Sequence, residues 1–365
     1  MFLLFLFCTT KIGEISDIAK CFENFVSQTL GFLTSFYAAE LRYTIKIVLF
    51  RYLIVLKRLI ILYVLLLGVL SVNAQYDPSF SHYFDMEPSF NPASVGKQAK
   101  LNVTGAYAID LAGYEHNPRT MYVSADMPFY LLKNYHGVGL QLMNDQIGLF
   151  THQRLAAQYA FKRRLFGGML SAGIQAGFIS ESFDGSKVDV EEGNDPALPK
   201  TKVNGNSVDI GAGVYYMHGA WYVGVSAQHL TSPKIELGET NEIDISPVYY
   251  LTGGYNIKLR NPFLSVKPSA LVKYDGVAWR GDVSCRLVYT HEKKMLYGGV
   301  SYSPTNSVTG LIGGRFHGVV LGYSYEFYTS AISPGNGSHE LFVGYQTDIN
   351  LVKKGRNKHK SVRIL

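Results

Sequence analysis

From residue 99 onward, apolar and polar side chains alternate with a period of two. Between 99 and 113, Leu101, Val103, Tyr107, Ile109 and Leu111 interleave with Asn102, Thr104, Ala106, Ala108 and Asp110. That is the spacing of a strand with one apolar face, over a length that crosses a bilayer when tilted. The pattern returns near 119–127, 136–144, 149–161, 165–182, 206–217, 219–230, 248–258, 262–274, 278–290, 294–303, 307–317, 318–330 and 338–350, giving fourteen candidate strands. In 278–290 the faces separate cleanly, with Val283, Cys285, Leu287 and Tyr289 on one side and Asp282, Ser284 and Arg286 on the other. Apolar outside and polar inside is the arrangement of a membrane barrel; a soluble β-sandwich with its apolar face buried alternates in the same way.

The connections favour the barrel. The two longest, about 183–205 and 231–247, are the fifth and seventh, so both fall at one end of an up-and-down barrel. Outer-membrane barrels place their long external loops in this way. Several even-numbered turns read as short and basic, at Lys162-Arg163-Arg164 and His291-Glu292-Lys293-Lys294. The expected fold class is therefore all-β: a transmembrane antiparallel up-and-down β-barrel of 14 strands spanning 99–350. Tyrosines at Tyr215-Tyr216, Tyr249-Tyr250, Tyr323, Tyr325 and Tyr328 suit interfacial girdles.

Ahead of the alternating region, Leu59 to Leu70 is an apolar run behind Lys57-Arg58 and is followed by Val72-Asn73-Ala74. This is the pattern of a secretory signal peptide at 57–74, cleaved near Ala74. No Met occurs between Met1 and Met86, so residues 1–56 read as an upstream extension, with translation expected to begin near Leu53 to Val55. An apolar anchor over Ile45 to Leu70 is the alternative. After Ala74 no apolar run is long enough for a transmembrane helix.

Between leader and first strand, residues 75–98 contain Pro and Asn at positions that exclude a regular strand, yet carry Tyr76, Phe80, Tyr83, Phe84, Met86 and Phe90. Six side chains that ask for burial in a non-strand segment predict a plug in the lumen or a cap at its periplasmic mouth.

Composition narrows the function classes. At 47% hydrophobic and 17% charged the chain is too apolar for disorder, and 26 Tyr and 21 Phe lean towards β-structure. Cys285 stands alone after the leader, which excludes an intrachain disulfide and a cysteine zinc site. Residues 351–365 form a basic tail with Lys353, Lys354, Arg356, Lys358, Lys360 and Arg363, on an exported chain for which nucleic acid is not an expected partner.

No catalytic constellation stands out. Ser81-His82 and Ser338-His339 adjoin, but there is no Gly-x-Ser-x-Gly elbow, so an enzyme is not expected. The ten His lack metal-ligand spacing. Asp189, Glu191, Glu192 and Asp195 surround Gly193 without the EF-hand pattern, which makes a solvated acidic loop the expectation over a calcium site. No cofactor or metal is expected.

Two segments carry a resemblance. Gln75, Pro78, Phe80, Ser81 and Tyr83, followed by Asn91, Pro92, Ala93 and Gly96, resemble the opening of mature chains in the PorP/SprF family. These are outer-membrane proteins of the type IX secretion system and gliding motility of Bacteroidetes. Gly337, Ser338, His339 and Glu340 resemble that family's final-strand segment. Gln75 and Pro78 are one residue further apart than the family pattern, and the upstream extension and basic tail have no counterpart in it. The resemblance implies a partner-binding component of the secretion and gliding apparatus that assists export and surface attachment of cargo. Its partners would be outer-membrane lipid, a secreted surface cargo or adhesin protein, and periplasmic components of the machine. On that reading the loops at 183–205 and 231–247, including Asp189, Glu191, Glu192 and Asp195, face cargo, while residues 75–98, the short turns and the tail face the periplasm. The rival expectation is a passive porin-like channel for small solutes.

Overall fold

The computed structural model describes residues 77–187, 201–238, 241–304, 306–329 and 336–349, with a few scattered positions elsewhere. The chain divides into two units, Met1–Leu70 and Ser71–Leu365. In the first, the few described positions between 20 and 57 are helical. The extension at 1–56, the signal peptide at 57–74, Gln75, the carboxylates Asp189, Glu191, Glu192 and Asp195, and the tail at 351–365 lie outside the described residues, apart from those scattered helical positions.

The second unit is a barrel. Its first strands are β1 (Lys100–Ile109), β2 (Arg119–Leu131), β3 (Asn134–Ile147), β4 (Phe150–Leu165), β5 (Gly168–Asp184), β6 (Lys202–His218) and β7 (Trp221–Gln228). A small hairpin of β8 (Lys234–Leu237) and β9 (Asn241–Asp244) follows, then β10 (Val248–Tyr255) and the two-residue β11 (Ile257–Lys258). The wall ends with β12 (Leu264–Tyr274), β13 (Trp279–His291), β14 (Lys294–Ser303), β15 (Ser307–Phe316), β16 (Val319–Tyr328) and β17 (Ser338–Asp348). Setting aside β8, β9 and β11, fourteen strands pair antiparallel with their sequence neighbours. The ring closes between β1 and β17, in register from Lys100↔Asp348 to Ile109↔His339. Closure gives every wall strand two partners, which is what backbone N–H and C=O groups need where no water can reach them.

Each wall strand coincides with one of the fourteen expected from alternation. On β13, Val283, Cys285, Leu287 and Tyr289 are exposed while Ser284 is buried, so the apolar set faces lipid. Leu140, Ile174, Phe178, Val300 and Ile312 continue this outer band. Among the described residues no helix is long and apolar enough to cross a membrane.

The four longest connections share one end, and 256–263, which holds β11, is the longest at the other. After β1, β5, β7 and β16 they run 110–118, 185–201, 229–247 and 329–337, while the opposite end has two-residue turns at 132–133, 166–167, 219–220, 292–293 and 317–318. By the rule for outer-membrane barrels, the short-turn end faces the periplasm.

Four expectations need correction. Strand β1 stops at Ile109 rather than 113, because Leu111 takes a positive φ of 50° and Ala112 N–H donates to the Gly337 carbonyl. Lys162, Arg163 and Arg164 belong to the end of β4, and the turn itself is Phe166-Gly167, whose positive φ values make the tight reversal. The connection at 231–247 is not a plain loop. It folds into the β8–β9 hairpin, and Ile235, Leu237 and Ile245 pack on the inward-facing Ile179 of β5, with Phe183, Val203 and Ile243 alongside. Finally, the tyrosines divide by parity: Tyr249 and Tyr323 face out, whereas Tyr215 and Tyr250 are buried on the inner face and Tyr328 turns in to Ser338.

Candidate functional site: a lumen filled by the segment before the first strand

Residues 77–98 run inside the barrel. Their aromatic side chains supply what the polar inner wall lacks, building two apolar clusters. Phe80 and Met86 join Ala106, Ala108, Tyr122, Met143, Val320 and Phe342. Tyr83, Phe84 and Phe90 join Val248, Tyr250, Leu271 and Leu311. Each such side chain, once buried, contributes about 1.5–3 kcal/mol. The plug expected from sequence is thus in place, and polar contacts hold it along its length.

At its start, Asp77 is buried and bound from four strands or strand ends. Its carboxylate accepts from Tyr250 Oη at 2.6 Å, lies 3.2 Å from His229 Nε2 and 3.7 Å from Arg154 Nη1, and Lys273 Nζ donates to its carbonyl at 2.5 Å. Burial pushes the Asp77 carboxyl up, but His229, Arg154 and Lys273 together outweigh this and hold it well below the usual carboxylate range. His229, just beyond β7, is opposed by its own burial; Asp77 and Asp209 prevail and raise it to about 9. Asp209 Oδ1 is 3.2 Å from His229 Nδ1. The cluster is a network of alternating charges in which each buried ion has an opposite neighbour.

Further along, Glu340 of β17 receives the Ser81 N–H at 2.6 Å, the His82 N–H at 3.1 Å and His82 Nδ1 at 2.7 Å. The His82 ring stacks on Phe342, with centroids 5.6 Å apart. Tyr83 Oη meets Ser269 Oγ at 3.0 Å. Arg286 caps the Phe84 ring, its Cζ 3.2 Å from the centroid. Glu87 is held by Lys97 and by Tyr215 Oη. The backbone carbonyls of the plug, which have no sheet to pair with, accept instead from wall side chains: Pro88 from Gln158, Ser89 from Arg154, Phe90 from Ser226 and Gln228, Ala93 from Ser171. Behind these donors Gln141, Gln158, Gln175 and Gln228 form an amide chain across four strands.

The Asn91-Pro92-Ala93-x-x-Gly96 segment has a local logic. Asn91 Oδ1 accepts from Ala93 N–H at 2.9 Å and caps the short 3-10 turn Pro92–Ser94, while Asn91 Nδ2 donates to the Val214 carbonyl. Pro92 stands at the first position of that turn, where its missing N–H costs nothing. Gly96 has φ +62°, and a Cβ there would lie 2.9 Å from Gly137 Cα. Its N–H donates to Asp126 Oδ2 at 2.7 Å. The wall answers with glycines: a Cβ on Gly137 would collide with the Val95 carbonyl, one on Gly173 with Ala93, and one on Gly213 with Asn91. The plug lies flat against β3, β5 and β6 because those side chains are absent.

The expected site residues therefore separate. Pro78, Phe80, Tyr83, Asn91, Pro92 and Gly96 all lie in the lumen. Of the final-strand set, Glu340 faces in and grips the plug. His339 faces out beside Tyr323 and Tyr325, with its Nδ1 2.7 Å from Tyr323 Oη. Gly337 precedes β17 with φ +59°. Sequence reading missed Asp77, Arg154, His229, Lys273 and Asp126; alternation places the last four on or beside a polar inner face, but nothing in the sequence pairs them with Asp77 or the rest of the plug. Among the described residues there is no group of three or more His, Cys, Asp or Glu that could hold a metal.

Comparison with known proteins follows from this geometry. Among solved structures, the CymD monoaromatic hydrocarbon channel matches with TM-score 0.46 and 11% identity over 76% of this chain and 96% of that one. A FadL homologue from Pseudomonas aeruginosa matches at 0.40 and 13%, over 71% and 93%. BamA from Haemophilus ducreyi, lacking POTRA domains 1–3, matches at 0.40 and 8%, over 68% and 70%. At such values the likeness says nothing of what this chain binds or transports. No curated protein matches. The family model of the type IX secretion system membrane protein PorP/SprF matches residues 72–345, which takes in the plug and nearly all of the wall, and the chain accordingly belongs to the PorP/SprF family of outer-membrane β-barrels.

Proposed function

We propose that this outer-membrane barrel works as a closed anchor of the type IX secretion and gliding apparatus, binding secreted surface cargo at its long-loop end and periplasmic machinery at its short-turn end. It acts by binding rather than by catalysis. The observation that carries this reading is the filled lumen: residues 77–98 are fixed to the wall by charge, hydrogen bonds and ring stacking along their whole length, and the β8–β9 hairpin packs on the inner face of β5 at the long-loop end. A passive channel needs a water-filled path, and here the path is occupied by side chains that would lose their partners on leaving.

Planar-bilayer recording of the purified protein tests it. Wild type should show no steady porin-like conductance, and deletion of residues 77–96 should open one. Steady conductance in wild type would favour the channel instead. Affinity purification from gently solubilised outer membranes of the native host should recover a surface cargo or periplasmic component at near-stoichiometric level; recovery of the barrel alone would remove the anchoring role.

A further inference from the structure

The short-turn mouth of the lumen is not completely filled. A cavity of about 350 Å³ remains between the plug and the wall, under the turn at 219–220, within the range of roughly 300–1,000 Å³ typical of ligand sites. Its lining combines three cations, Lys97, Lys267 and Arg286, with the aromatic residues Phe84, Tyr215 and Tyr222. The single carboxylate in it, Glu87, is already taken by Lys97 and Tyr215. Lys267 has no hydrogen bond or ion pair among the described residues. Arg286 reaches Asp85 only at 4.0 Å, and its Nε is buried without a hydrogen-bond partner, as is Asn256 Oδ1 at the rim. Buried polar atoms are normally satisfied, so these two are hydrogen-bonding capacity that the chain itself leaves unused in the residues lining the cavity.

We propose that this cavity is a binding site for an acidic peptide segment, with ligand carboxylates on Lys267 and Arg286 and an apolar or aromatic side chain among Phe84, Tyr215 and Tyr222. The site faces the lumen rather than the lipid, since Tyr215, Lys267 and Arg286 lie on inward-facing positions of their strands. That argues against a lipid headgroup and for a chain entering through the open mouth. The uncompensated charge selects for anions, and the ring-lined walls favour a peptide over a bare ion. The site stands whether or not the lumen conducts.

Titration calorimetry of the purified protein held in nanodiscs reads the binding directly. The pentapeptide Glu-Glu-Phe-Glu-Glu should bind with an affinity about tenfold above that of Gln-Gln-Phe-Gln-Gln and falling with salt. Lys267→Gln should weaken binding about tenfold, which is the worth of one charge-assisted contact, and Lys267→Arg should restore it. Lys293→Gln, an exposed cation at the same end of the barrel, should change nothing. Heat-modifiable gel mobility confirms that each variant is folded. Equal binding of the two peptides, insensitivity to Lys267→Gln, or inorganic phosphate binding as well as the acidic peptide would overturn the proposal.

Discussion

Single positions decide whether the plug seats. Gly137 has an ordinary place in an alternating strand, yet its missing Cβ is the space the Val95 carbonyl occupies. Gly137→Ala should cost about 1–3 kcal/mol by overpacking, read as a lower temperature for the heat-modifiable mobility shift. Asp77 is the other decisive position. Its pKa is depressed in the folded state, so the stabilisation it supplies is present above the ordinary value of 3.8 and fades as pH falls below it. His229 is raised from 6.5 to about 9, so its share is complete below 6.5 and fades as pH rises through about 9. The start of the plug should therefore be most firmly held between about pH 4 and 6.5. Thiol labelling of a Ser79→Cys variant across the pH range checks this, with labelling slowest in that window and faster on both sides. Asp77→Asn should lose about 3–5 kcal/mol of plug docking, because it leaves buried cations without their counter-charge, and should label fast throughout.

The elements divide into those legible in sequence and those not. All fourteen wall strands were visible because one face meets hydrocarbon and the other meets polar groups, and that contrast is written residue by residue along each strand. The side to which long loops fall was legible for the same reason, since parity alone decides it. The β8–β9 hairpin was not: Lys234–Leu237 and Asn241–Asp244 are four residues each, too short for a periodic signal, and their apolar side chains make sense only against Ile179 more than fifty positions earlier. Ile235 is fully buried there, so Ile235→Ala should cost about 2–5 kcal/mol locally, speeding proteolysis within 229–247 while the wall stays intact. The plug's existence was legible from its stranded aromatics, its grip on the wall was not, because its partners are scattered from Asp126 to Glu340. In the last strand, adjacent residues serve opposite faces. Glu340→Ala should release Ser81 and His82 and expose the plug to protease, whereas His339→Ala should leave the plug undisturbed and disturb only the outer ring cluster.

At the scale of the molecule, the plug runs the length of the barrel with a definite polarity. Asp77 is bound near the long-loop end, by Tyr250 at the start of β10, Lys273 at the end of β12 and His229 just past β7. Gly96 is bound near the short-turn end, by Asp126 beside Gly137 at the start of β3. The chain then turns directly into β1, which is also the strand that must find β17 to complete the ring. The contacts the segment makes with both the early strands and the last one act as a gauge of circumference: a circle one hairpin smaller or larger would not bring Glu340 to His82 and Asp126 to Gly96 at the same time.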